Sequence, residues 1–224
     1  RDNQAISGRS TVVVHAGDLY IGMAPRAYVG QAGDEQQLDL VTIDTDGNRL
    51  ANRTVEVEFL RTTWENQFVE DAAGGRWESR QVRESVGTQK ITTDAKGEAV
   101  VSFTPASGGA YLVQARAVDG GGREVRTSLY VWVYGGDAFW IRENNDRINL
   151  IADKGEYRPG ETATILIPSP FTGAHWALLT IERGGVLSHE VRQVTGGSLV
   201  YQLPITAAYA PNIYVSAVLF APPD

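Results

Sequence analysis

Cysteine is absent from this 224-residue chain, so disulfides, thiolate metal sites and cysteine nucleophiles are excluded. Long apolar runs are absent as well. None approaches the roughly 18 to 20 residues that would span a bilayer, and membrane insertion by these residues is not expected. Basic clusters are missing: 20 Lys and Arg lie scattered among 27 Asp and Glu, for a formal net charge of -7 and a pI near 5.0. Such a surface could not neutralise a row of phosphates, which removes nucleic acid from the expected partners. Helical periodicity is also lacking. No segment repeats its apolar residues every 3.6 positions over the ten or twelve residues a helix needs. The chain opens RDNQ, with neither a start Met nor a signal peptide, and reads as a piece of a longer protein.

What is present is alternation. Val55, Val57 and Phe59 share one parity, as do Tyr111, Val113, Ala115 and Ala117, and as do Ala163, Ile165 and Ile167; period-two faces of this kind mark half-buried strands. Residues 10–15 (STVVVH) and 19–23 predict a strand pair around a Gly17-Asp18 turn. Asp44 to Gly47, Asp94 to Gly97 and Asp119 to Gly122 supply turn chemistry. Residues 61–87 read as a hairpin projecting beyond the core. A Gly-rich then polar stretch, Gly135-Gly136 followed by Arg142 to Asp146, separates two halves. The halves repeat weakly: Tyr28-x-Gly30 answers Tyr157-x-Pro159-Gly160, and residues 103–117 answer 203–219. With 42% hydrophobic residues, the length suits two cores. The expected fold is all-β, with two tandem antiparallel β-sandwiches of immunoglobulin or fibronectin-III type at 1–137 and 147–224, joined by a linker at 138–146. The second counts about six strands where such a sandwich has about seven. Its closing strand is therefore expected to be missing, leaving a sheet edge that could template pairing with another chain.

Candidate chemistry is sparse. His15, His175 and His189 stand apart from any carboxylate or Ser pattern that would make a triad or a zinc site, and read as structural. Asp44-Thr45-Asp46-Gly47-Asn48 opens like a calcium loop, but its Gly comes at position 4 instead of 6, and Val55 stands where the bidentate Glu belongs. A tight turn is the expectation there. Glu182-Arg183 reads as a solvated strand end. Trp132 and Trp176 sit in apolar strands and are expected in the core, as is Tyr214. Trp64, Trp77 and Trp140 keep polar company and are the candidate interface residues. No catalytic, cofactor-binding or metal-binding set assembles, so neither a cofactor nor an enzymatic activity is expected.

One stretch carries a resemblance. DKGEYRPGE (153–161), a strand, SPF (169–171), a second strand, Glu182-Arg183 and Gly185-Val186-Leu187 follow in order, and LPI (203–205) and APNIYVSAVL (210–219) come after them. This order resembles a macroglobulin-like domain of the alpha-2-macroglobulin family. GDLYIGMAP (17–25), TTDAKGEAVVSF (92–103) and SLYVWV (128–133) extend the resemblance nearly end to end. It is closest to the bacterial members, with the two halves similar to the fourth and fifth macroglobulin-like domains and the second to the bait region domain. The resemblance implies a structural and interaction segment of a large endopeptidase inhibitor, a trap that collapses around a protease after its bait is cut. It implies neighbouring domains of a parent chain as partners, proteases through the full-length protein, and a periplasmic or secreted location. The family's Cys-Gly-Glu-Gln thioester is not in these residues, and no long unstructured bait is apparent. A cell-surface adhesin or carbohydrate-binding sandwich pair is the alternative reading.

Overall fold

Alternation becomes strand pairing in chain order. The computed structural model describes residues 7–69, 76–135, 147–171 and 173–220, with the side chains of 64–69 and 76–79 outside the description. In the first half the strands are β1 (Tyr20–Pro25), β2 (Val29–Gln31), β3 (Gln36–Ile43), β4 (Thr54–Val69), β5 (Arg76–Thr92), β6 (Glu98–Phe103), β7 (Gly109–Val118) and β8 (Glu124–Tyr134). They form two sheets, β1-β3-β6 and β2-β8-β7-β4-β5. The alternating parities face each other between these sheets, where Leu38, Leu40, Val57, Phe59, Tyr111, Val113 and Val131 make one core. β4 and β5 pair from Thr54↔Thr92 out to Val69↔Arg76, whereas β7 follows β4 only along Glu56–Thr62. Beyond Thr62 the hairpin is therefore a two-stranded ribbon.

Three loops of the first half share one construction. Asp44, Asp94 and Asp119 each accept, through Oδ1, the backbone N–H groups two and four residues on. Each is followed at the third position by a glycine at positive φ, Gly47 at 85°, Gly97 at 73° and Gly122 at 80°. The carboxylate satisfies the loop's donors and the glycine supplies the left-handed turn that a side chain would resist.

The second half repeats the plan with fewer strands: β9 (Ile151–Ala152), β10 (Thr162–Pro168), β11 (His175–Glu182), β12 (Val186–Val194), β13 (Ser198–Pro204) and β14 (Tyr214–Phe220). A single 3-10 turn, Ala207–Tyr209, precedes β14. The sheets are β13-β10-β9 and β12-β11-β14. The first matches β6-β3-β1. The second matches β5-β4-β7, and among the described residues β14 has only β11 beside it where β7 has both β4 and β8. Among the described residues all strand pairings are antiparallel save β2 with β8. The molecule is all-β, two tandem sandwiches, each with its own core; Ala163, Ile165, Ile167, Ala177, Leu179 and Leu203 fill the second.

Three expectations need correction. Residues 10–15 form no strand, and Val12, Val13 and Val14 are 77%, 79% and 85% exposed; β-branched residues make a strand only where a ladder partner and a covered face exist. Trp176 and Tyr214 are 52% and 64% exposed instead of buried in the core. In β11 the inward parity is His175, Ala177, Leu179 and Ile181, and Trp176 shares the outward one with Leu178. Apolar residues on both parities do not reveal which face meets the other sheet. Trp132 is half-buried, and it lies between the two sandwiches instead of inside one.

Candidate functional site: the junction between the sandwiches

The DKGEYRPGE stretch folds into a polar clasp ahead of β10. Asp153 Oδ1 accepts the Tyr157 hydroxyl at 2.6 Å and the Thr164 N–H at 2.8 Å. Lys154 N–H donates back to the Tyr157 oxygen at 3.0 Å. Burial, reinforced by the Asp153 carboxylate, pushes the Tyr157 hydroxyl up to about 12, so at neutral pH it remains a donor. Glu161 takes the Arg158 N–H at 2.8 Å and Lys154 Nζ at 3.1 Å, which hold its carboxyl below the usual range. Gly160, at φ 96°, turns the chain so that its N–H reaches the Ile205 carbonyl at 2.8 Å. Beneath the clasp the two sheets part around a cleft of about 610 Å³, walled by Ala163, Ile165, Leu203, Tyr157 and Tyr209.

The clasp also reaches the first sandwich. Trp132 N–H donates to the Tyr28 carbonyl at 2.8 Å, Tyr28 N–H to the Asp153 carbonyl at 2.9 Å, and Asp153 N–H to the Thr164 carbonyl at 2.9 Å. This backbone relay runs from β8 to β10 without a break. Two cross-strand rows meet beside it. One is Val29, Trp132 and Ala110, in register across β2, β8 and β7; the other is Ile151, Leu166 and Val200, in register across β9, β10 and β13. Together with Tyr134 they form a separate apolar cluster in which Leu166 is 0% exposed. Covering a leucine side chain this fully contributes about 1.5 to 3 kcal/mol. The outer face of one sheet thus packs on the outer face of another.

The sequence-predicted interface residues are not gathered at this site. Trp64 and Trp77 lie on β4 and β5, opposite Gln81 and Phe68 in the ribbon, with side chains outside the described residues; Trp140 lies outside them altogether. His175 is buried at 2% exposure, its Nε2 2.7 Å from Ser169 Oγ and its Nδ1 3.0 Å from the Gly173 carbonyl. His15 contacts the exposed Tyr20 hydroxyl. Asp44 spends its carboxylate on its own turn, and among the described residues no group of three or more His, Asp or Glu could hold a metal. Sequence reasoning missed the junction. Its one signal was apolar character on the second parity of β8 and β10, at Trp132, Tyr134 and Leu166.

Residues 22–135 match the family model for bacterial macroglobulin domain 6, and residues 148–224 match that for the alpha-2-macroglobulin bait region domain. The first half thus carries number six in the bacterial series, where its resemblance pointed to the fourth vertebrate domain. An alpha-2-macroglobulin homolog of Nostoc sp. is 28% identical over 195 residues, covering 86% of this chain and 10% of the relative. A homolog of Deinococcus radiodurans is 32% identical over 178 residues, covering 77% of this chain and 16% of its own length. Among solved structures, the native Escherichia coli alpha-2-macroglobulin aligns over 93% of this chain and 15% of its own, with 19% identity and a TM-score of 0.46. The chain spans a small fraction of each of these proteins. Two domain models in tandem, in register with two sandwiches, establish that the chain belongs to the alpha-2-macroglobulin family.

Proposed function

We propose that the chain is a structural and interaction segment of an alpha-2-macroglobulin-type endopeptidase inhibitor, with no enzymatic activity of its own. Residues 1–137 and 147–224 act in this reading as two rigid modules, outside the cytoplasm, that help frame the space in which a protease is held. The observation that carries it is the packed junction: Leu166 is 0% exposed in an apolar cluster drawn from both sandwiches, and the backbone relay ties Tyr28 to Asp153. A frame that must stay in place while another segment is cut needs such fixed angles.

The test compares the chain, the full-length parent and the parent carrying Leu166→Arg in protection of a large protein substrate from an endopeptidase. The chain alone should protect nothing, the parent should protect, and the junction variant should protect less. Full protection by the isolated chain, or by a parent whose junction is broken, would remove this reading. Saturable binding of a soluble glycan by the chain would favour the adhesin-like alternative.

A further inference from the structure

The first sandwich holds a cavity of about 450 Å³ at the end where β4, β5 and β7 meet the loop after β6. β4 and β5 slip by one residue beside it: Phe59 faces Gly87 but Leu60 faces Ser85, so Val86 is the extra residue of a bulge. One wall is aromatic. Phe59 and Phe103 stack with centroids 4.4 Å apart, and Tyr111 leans on Phe103 at 5.5 Å while its hydroxyl is spent on the Ser107 carbonyl at 2.7 Å.

Arg61 lies two residues beyond Phe59 on the same strand face and also lines the cavity. A guanidinium is charged at any physiological pH and carries five N–H donors. Here Nη2 donates to the Gly108 carbonyl at 3.0 Å, and Nε is buried with no partner among the described residues. No carboxylate pairs with Arg61 among the described residues. Glu84, opposite Arg61 in the ladder and at the cavity's edge, is exposed and makes no ion pair with it. A buried cationic donor without an acceptor costs free energy that an incoming anion would recover.

We propose that this cavity binds an organic carboxylate carried on an aromatic or apolar body. Arg61 supplies the charged donors, and Phe59, Phe103 and Tyr111 supply the apolar wall. The volume falls within the range of small-molecule sites, about 300 to 1,000 Å³. The one guanidinium balances a single negative charge, and Glu84 at the rim opposes a second, which disfavours a phosphate dianion relative to a carboxylate. The carboxylate could belong to a free acid or to the end of a polypeptide, and both present the same chemistry.

The experiment titrates the chain with 3-phenylpropionate, its neutral amide, acetate and inorganic phosphate, following affinity by calorimetry and the Arg61 Nε–H by nitrogen-15 NMR. The expected result is saturable binding of 3-phenylpropionate with a shift of that resonance, and binding at least about tenfold weaker for the amide, for acetate and for Arg61→Gln. Gly87→Leu is the second variant. A Cβ at Gly87 meets Phe59 only at an ordinary 3.8 Å, so a larger side chain there fills the cavity without removing the guanidinium, and it too should abolish binding. N-acetylphenylalanine separates the sources: tighter binding than 3-phenylpropionate identifies a chain end, weaker binding a free acid, and either upholds the site. No saturable binding to the unaltered chain, equal affinity for acid and amide, unchanged affinity in a folded Arg61→Gln chain, or tighter binding of phosphate would each overturn it.

Discussion

Asp119 shows how much one side chain can organise. Its Oδ1 takes the Gly121 and Arg123 N–H groups, and its Oδ2 takes Arg123 Nε and the Asp18 N–H from across the sandwich. The Arg123 backbone bond foremost holds its carboxyl below the ordinary value of 3.8; Asp44 and Asp94 are lowered chiefly by Asn48 and by the Glu98 N–H. A depressed folded value means that the stabilisation is complete above the unfolded value and is lost as pH falls through the folded one. Asp119→Asn should therefore lower the melting temperature at pH 7, by more than Asp44→Asn because its side chain is 0% exposed. That deficit should shrink on acidification below about pH 4, as melts across a pH series would show. These turns were legible in the sequence, since Asp, then Gly three residues on, is local chemistry. Trp176 was not. Its neighbours are apolar on both sides of the strand, and only the opposing sheet decides which side is inside. Trp176→Ala is expected to cost about 1 kcal/mol or less, and Leu179→Ala, at 1% exposure, about 2 to 5 kcal/mol. Chemical denaturation of the two variants separates them, and similar losses would contradict the assignment of faces.

At the scale of elements, a strand is as secure as its neighbours. β7 is flanked by β4 and β8, whereas among the described residues β14 leans on β11 alone. Every second amide of β14 then points away from any described partner. Hydrogen exchange should show alternating fast amides along Tyr214–Phe220 and near-uniform protection along Gly109–Val118; uniform protection of both would mean that the β14 edge is covered. Most strands of both sandwiches, though not their order within the sheets, could be anticipated from alternation and turns. β2 could not: three residues, Val29–Gln31, join β8 in parallel, and a parallel partner a hundred positions away leaves no mark in local pattern. Residues 10–15 failed in the opposite way, with strand propensity and no partner to satisfy it.

Across the whole molecule, the repeat and the two cores were legible because each depends on parity within a half. The junction depends on the residue pairs Val29, Trp132 and Ala110 against Ile151, Leu166 and Val200, which no single stretch displays. If the junction is structural, Leu166→Asp should uncouple the halves. Calorimetry should then resolve two unfolding transitions in place of one, with the first at lower temperature, because an unpaired charge in a dry contact is strongly destabilising. A single unshifted transition would mean that the sandwiches do not support each other.

The relay from Trp132 through Tyr28 and Asp153 to Thr164 is made of main-chain groups only. It is thus blind to side-chain identity, and proline at position 28 would break it because proline alone lacks the donor. Modules taken from different relatives should accordingly be exchangeable as cassettes. A chimera keeps the relay at no cost in sequence, and has to carry over only the six apolar residues that meet beside it.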